Sequence, residues 1–205
     1  MIAIMQCALS IAGIGGAEGV VEKVQGFYEK TQSFSANFRQ IYTYKVYKRK
    51  QISNGRVYFK KPGLMRWDYL KPTKKEFVAD GKTLWIFQAD ENQVTEQEFR
   101  ADRLSSSVSF LWGKGKLAEE FDIKAGAPAG GLDVLELVPK KSESHFKKLF
   151  FHVERETGRV MKTVVFDPVG NTNEMTFSKI EENPAFKPSL FTFKIPKNAN
   201  VIRNP

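Results

Sequence analysis

The residues best suited to covalent chemistry are His145, Ser144 beside it and Glu143 close by, the three side-chain types of a hydrolytic site. A serine nucleophile also needs a positioned base, an oxyanion pocket and an exposed elbow, and the chain contains no G-x-S-x-G segment to supply that elbow. These residues therefore read as a surface loop. Gly113-Lys114-Gly115-Lys116 has the composition of a phosphate loop but lacks the G-x-x-x-x-G-K-[ST] spacing, and reads as a basic turn after a helix. Cys7 is the sole cysteine, and His145 and His152 are the only histidines, too few for a zinc or other transition-metal centre. The sequence thus implies no enzyme, no metal and no cofactor.

What remains is non-covalent chemistry. The 205 residues include 17 Phe, 6 Tyr and 3 Trp, and carry a net charge of +9 with basic residues concentrated at Lys45, Lys48, Arg49, Lys50, Arg56, Lys60 and Lys61. Such a surface suits nucleic acid, anionic headgroups or an acidic protein, and equally a solvated face. At 41% hydrophobic and 27% charged the composition is that of a globular protein, long enough for one domain over 18–205 with its own core. Residues 1–17 form an apolar run too short to span a bilayer, followed by small residues; they read as a signal-peptide remnant with cleavage after Ala17.

The elements that position the aromatics follow from periodicity. Val20, Val21, Val24, Phe27 and Tyr28 recur at helical spacing between Glu18 and Thr31, predicting an amphipathic helix. From Ser33 to Tyr47 the period becomes two, predicting a long strand. Shorter strands are expected at Arg56–Lys60, Leu64–Tyr69, Glu76–Ala79, Thr83–Gln88 and Gln93–Gln97, with turns at Asn54-Gly55 and Asp80-Gly81. Alternation sets Val57, Phe59, Met65, Trp67 and Tyr69 against Arg56, Lys60, Arg66 and Asp68 on the opposite face. Leu104, Val108, Leu111 and Trp112 return to helical spacing within Phe99–Gly115, an insert continued by Lys116–Glu120. Further strands are expected at Phe121–Lys124, Asp133–Val138, Lys148–Glu154, Val160–Phe166 and Glu174–Lys179, with a hairpin turn at Thr157-Gly158, a flexible loop over Gly126–Gly131 and an extended, proline-rich C-terminal edge. The result is an α+β, mainly β chain of roughly ten or eleven strands with two helical interruptions, the pattern of a large curved antiparallel sheet or an incomplete barrel capped by helices over an apolar pocket.

The ordered set SFSANFRQ (Ser33 to Gln40), GRVYFKKPGLMRWDYLKP (Gly55 to Pro72), VADGKTLWIF (Val78 to Phe87), FDIKA, LELVPK and LFTFKIPKNANVI (Leu190 to Ile202) resembles the LolA family of periplasmic outer-membrane lipoprotein carriers, over Glu18 to roughly Val201. The resemblance implies an unclosed antiparallel β-barrel of about eleven strands with an α-helical lid over a hydrophobic cavity. It implies a monomeric periplasmic chaperone that receives lipoproteins from an inner-membrane LolCDE-type transporter and passes their acyl chains to an outer-membrane LolB-like acceptor or to the outer membrane itself, with no nucleic-acid partner. A LolB-like acceptor or a lipid-sensing regulatory domain on the same scaffold are the alternatives. The implied acyl-chain cavity takes Val24, Phe27, Phe38, Val57, Phe59, Met65 and Trp67, together with Phe77, Trp85, Phe87, Leu104, Val108, Leu111 and Trp112. Several of these, Phe59, Trp67, Trp85 and Phe87 among them, read equally well as ordinary core. The family's lid-tethering arginine falls on Lys61, which keeps charge but loses the planar fork, so the resemblance implies weaker closure or recruitment of Arg66. Its cargo-receiving aromatic falls on Met65, placed with Lys61 at the mouth.

Overall fold

A computed structural model of the chain describes residues 15–99, 116–141 and 146–204. Helix α1 (Gly15–Lys30) carries Glu18 in its first turn and Lys30 in its last, each opposite in sign to the partial charge of the nearby helix end. It opens two residues before Ala17, so the cleavage point expected from sequence lies inside the helix. Its apolar stripe meets a sheet of twelve strands: β1 (Ser33–Tyr44), β2 (Arg49–Lys60), β3 (Leu64–Lys71), β4 (Lys75–Asp80), β5 (Thr83–Gln88), β6 (Gln93–Glu98), β7 (Phe121–Ala129), β8 (Leu132–Pro139), β9 (Lys148–Val153), β10 (Val160–Phe166), β11 (Thr172–Glu182) and β12 (Asn200–Asn204). A four-residue helix, α2 (Leu117–Glu120), precedes β7.

The strand order is β12-β6-β5-β4-β3-β2-β1-β11-β10-β9-β8-β7, antiparallel throughout except for β12, which joins β6 in parallel. The end strands β12 and β7 do not pair with each other, so the sheet is unclosed. The strand count exceeds expectation because the C-terminal segment contributes a ladder of its own. The apolar run to Ile14, Cys7 included, lies outside the described residues, as do Leu104, Val108, Leu111, Trp112, the Gly113–Gly115 turn and the Glu143–His145 loop.

Three local expectations are corrected. Asn54-Gly55 is not a turn but the interior of β2, and the β1–β2 reversal falls at residues 45–48, so Val46 and Tyr47 leave the strand. Glycine is needed at 55 for a packing reason: a Cβ there would stand 1.9 Å from the Asp68 carbonyl and 2.6 Å from the Phe38 ring. Gly126 to Ala129 belong to β7, leaving only Gly130 and Gly131, at φ +61° and +78°, to form the turn.

Two apolar clusters share one sheet face. On β7 to β10, Phe121, Leu135, Leu137, Leu149, Phe151, Val153 and Val160 are buried beneath Val24 and Tyr28 of α1. The β9–β10 turn presses against the helix at Gly158, where a Cβ would lie 2.3 Å from the Lys23 backbone, and the Lys23 Nζ donates to the Arg155 carbonyl at 2.9 Å. The second cluster spreads over β1 to β4 and β11, with Phe34, Phe38, Val57, Phe59, Met65 and Met175 at its centre.

Candidate functional site

The second cluster is built by register. Phe34 faces Phe59, Ala36 faces Val57, Val57 faces Trp67, Phe59 faces Met65, and Trp67 faces Phe77, so cross-strand neighbours repeat the apolar side chain on one face. Ring contacts knit it together: Phe38 lies 5.3 Å from Trp67 and 4.9 Å from Tyr69, and Phe59 meets Trp67 edge-on at 6.0 Å. Phe38, Val57, Phe59, Met65, Trp67 and Phe77 of the expected cavity set are therefore brought together. Met65 is only 7% exposed, in register with Phe59 and Ala79, and so sits within the cluster and not at an open rim.

Within this apolar ground one donor stands out. The Trp67 Nε1 is buried and has no hydrogen-bond partner among the described residues, although most buried polar groups in folded proteins are paired.

Toward the far ends of the strands the same face becomes amphipathic. Gln40, Gln51, Ser53, Tyr69, Lys75, Phe77 and Gln88, with Pro72, Thr73, Asp90 and Glu91 at the turns, line a cleft of about 280 Å³. Tyr69 forms its floor beside Phe77, hydrogen-bonded with Gln40, and burial pushes its phenol up to about 12. Gln40 in turn donates to Asn173 of β11 at 2.9 Å. Apart from Tyr69, sequence patterning does not single out these polar side chains; the signal present is the polar side of an otherwise aromatic alternation.

At the opposite end Lys61 closes the site. Its Nζ donates to the carbonyls of Tyr28 at 2.6 Å and Glu29 at 3.3 Å, while Thr31 supplies the Phe27 carbonyl with both its backbone N–H and its hydroxyl. The otherwise orphaned carbonyls of the last turn of α1 are thus satisfied, with a cation at the negative end of the helix. Burial holds the Lys61 amine below the usual lysine range, partly offset by the Glu29 charge. Only about 10 Å³ of free space remains between this helix end and Phe34 and Phe59.

Other expected residues lie elsewhere. Val24 is fully buried in the α1 cluster, and Phe27 packs there against Tyr28, 5.0 Å away. Trp85 and Phe87 pair with Val78 and Glu76, the residues alternating with Phe77, and so occupy the opposite sheet face. There Phe193 covers both, stacked on Trp85 at 6.0 Å and tilted against Phe87 at 6.3 Å. Arg66 is on that outer face too, donating to Asp68 at 2.8 Å, Glu76 at 2.7 Å and the Leu190 carbonyl at 3.4 Å. It cannot substitute for Lys61 at the helix. The outer face of β2 to β5 is roofed by the segment after β11, whose Phe186 meets Tyr58 and Phe191.

No group of three or more potential metal ligands occurs among the described residues, and none of their helices is long and apolar enough to cross a membrane.

Comparison with known proteins adds sequence and structural relatives. The family described as "Outer membrane lipoprotein carrier protein LolA" matches residues 29–194. An outer-membrane lipoprotein carrier protein of Methylobacillus flagellatus is 30% identical over 201 residues, covering 98% of this chain and 97% of its own length. One from Ralstonia nicotianae is 37% identical over 151 residues, covering 74% of this chain and 69% of its own length. An uncharacterized conserved protein from Thermus thermophilus shares the fold at a TM-score of 0.59 and 14% identity, covering 91% of this chain and 98% of that one.

Proposed function

The chain belongs to the LolA family of outer membrane lipoprotein carrier proteins, and from that premise we propose that its inner apolar face shields the acyl chains of lipoproteins crossing the periplasm to the outer membrane. The observation that carries this reading is the continuous surface of Phe38, Val57, Phe59, Met65, Trp67 and Phe77, which opens into the 280 Å³ cleft. Leaving a buried methylene in water costs about 0.8 kcal/mol, so an acylated anchor needs such a surface to travel as a soluble complex. Rings and a thioether grip hydrocarbon without directional bonds, which allows release as well as capture.

The size of the cleft argues for movement on loading. At about 280 Å³ it is no larger than the smallest pockets that take one drug-sized ligand, far less than several acyl chains need. Cargo must part the Phe38–Phe59–Trp67 cluster, and the short tether from Lys61 to α1 belongs to the unloaded, closed arrangement. Handover to an acceptor is then an exchange between binding sites, with no covalent step and no cofactor. An inner-membrane LolCDE-type ATP-driven complex would load the carrier, and a LolB-like acceptor or the outer membrane itself would unload it.

The test is release of newly made lipoproteins from spheroplasts by the purified protein. Lipoprotein co-eluting with the chain in the soluble fraction is the expected result. Its absence, in a preparation where an established carrier succeeds, refutes the reading.

A further inference from the structure

We propose that the β1–β2 hairpin tip is a docking point for anionic lipid bilayers. The hairpin projects: β2 pairs with β1 from Arg49 onward, whereas β3 joins β2 only from Asn54. At its turn Val46 is 78% exposed and Tyr47 79%, among the most exposed large apolar side chains described. The neighbouring β10–β11 turn adds Val169, 68% exposed. The two turns touch, since the Lys45 N–H donates to the Asn171 Oδ1 at 3.0 Å and a Cβ on Gly170 would stand 2.8 Å from the Lys45 side chain. Three apolar residues thus share one end of the sheet.

Charge names the partner. Lys45, Lys48, Arg49 and Lys50 surround Val46 and Tyr47, are all exposed, and form no ion pair among the described residues. The nearby carboxylate of Asp167 is occupied by the Asn171 backbone and side-chain amides. Apolar and aromatic tips ringed by lysine and arginine match an interface where the tips enter the acyl boundary and the cations meet anionic headgroups. Nucleic acid would use the cations and leave Val46 and Val169 in water. Below the tip, Tyr42 and Tyr44 stack edge-on at 4.7 Å, and tyrosine is a side chain that settles at headgroup depth.

Position adds a consequence. Gln51 of the same hairpin lines the 280 Å³ cleft, and Arg49, where the strand meets the turn, lies two residues or about 7 Å further along at the usual strand rise. A bilayer met by the tip would therefore lie at the cleft end of the inner face. The docking itself requires no cargo and stands or falls independently of the carrier reading.

The experiment is co-sedimentation of the cargo-free protein with vesicles of phosphatidylethanolamine and phosphatidylglycerol, or of phosphatidylcholine alone. Wild type is expected to bind the anionic vesicles, more weakly at high salt, and to bind the neutral ones little. Val46→Ser with Tyr47→Ser should lower partitioning at least tenfold with an unchanged melting temperature. Lys48→Gln, Arg49→Gln and Lys50→Gln should each cost about fivefold at low salt and nothing at high salt. Absence of wild-type binding to anionic vesicles overturns the proposal, as does equal binding by the Val46/Tyr47 variant. Capture of wild type by heparin but not by vesicles would identify a polyanion site instead and also overturn it.

Discussion

The Lys61 ammonium donates to the Tyr28 carbonyl at 2.6 Å, joining the β2–β3 turn to the last turn of α1. One flexible cation thereby fixes where the helix ends and how tightly it lies on the sheet. Lys61→Met leaves the Tyr28 and Glu29 carbonyls without this donor and should cost about 1 kcal/mol, or a few degrees in melting temperature. Hydrogen exchange should accelerate at Lys30 and Thr31 more than in β8 or β9. Lys61→Arg should retain the protection. Uniform exchange across α1 and the sheet in the methionine variant would show that Lys61 does not hold the helix.

Arg66 serves the other face. Its guanidinium bridges Asp68 and Glu76, whose side chains are 19% and 12% exposed, and reaches the carbonyl of Leu190 in the C-terminal roof. Arg66→Met leaves the mostly buried Asp68 carboxylate without its partner and Glu76 with Lys74 alone, and should destabilise the fold by about 2 kcal/mol, below the full buried-pair range because Lys74 remains and solvent still reaches the site. Urea unfolding measures this. Lipoprotein release per folded molecule should be unchanged, since no Arg66 atom faces the inner cluster; a selective loss of release at full stability would contradict that placement.

The contrast between Lys61 and Arg66 shows what the sequence makes legible. Met65, Trp67 and Tyr69 alternate with Arg66 and Asp68, and Val57 and Phe59 lie between Arg56 and Lys60, so period two assigns each set one face of its own strand, and the β2–β3 register makes the two faces one. Leu84-Trp85-Ile86-Phe87 is apolar at every position, so alternation cannot say which pair points inward. The answer depends on Phe193, which packs across from the distant C-terminal segment. A strand apolar on both sides signals two covers, and the phenylalanines of the C-terminal segment are the second. Gly55 misleads for a related reason: Asn-Gly is a strong local turn signal, but the ring of Phe38 and the backbone of Asp68 claim the space of its absent side chain.

Gly55→Ala tests that packing directly. With a Cβ 1.9 Å from a backbone oxygen, either β2 and β3 separate or the Phe38 ring leaves Trp67 and Tyr69. Overpacking of this kind costs about 1–3 kcal/mol, and the upper end applies because the obstacle is backbone. Thermal unfolding should show the loss. Gly19→Ala, in a helix with open space around the site, should be neutral or stabilising.

The unpaired Trp67 Nε1 makes a prediction about cargo chemistry. A carbonyl from an acyl ester could accept this hydrogen bond, whereas an ether-linked chain of equal length offers a poorer acceptor at the same depth. Wild type should therefore prefer the ester lipid by about 0.5–1.5 kcal/mol, the net value of one such bond. Trp67→Phe should abolish the preference while still binding both. Competition between the two lipids for a fluorescent fatty acid measures it, and an equal preference in wild type and variant would rule out the indole as the donor.

Acid should loosen the anchor of α1 through a different pair. Asp133 accepts hydrogen bonds from the Arg155 Nε and Nη2, and the Arg155 carbonyl receives the Lys23 Nζ of the helix. The guanidinium holds the Asp133 carboxyl below the usual aspartate range, with Lys23 adding to the effect. Because the folded state protonates later than the unfolded one as pH falls, the pair contributes stability above the ordinary aspartate value of about 3.9 and loses it as pH drops through the lower folded value. The melting-temperature gap between wild type and Asp133→Asn should be constant near neutrality, close in strong acid, and shrink with salt because Arg155 is largely exposed. A gap that persists at low pH would mean that the side-chain shape of Asp133, and not its charge, supports the β9–β10 turn against α1.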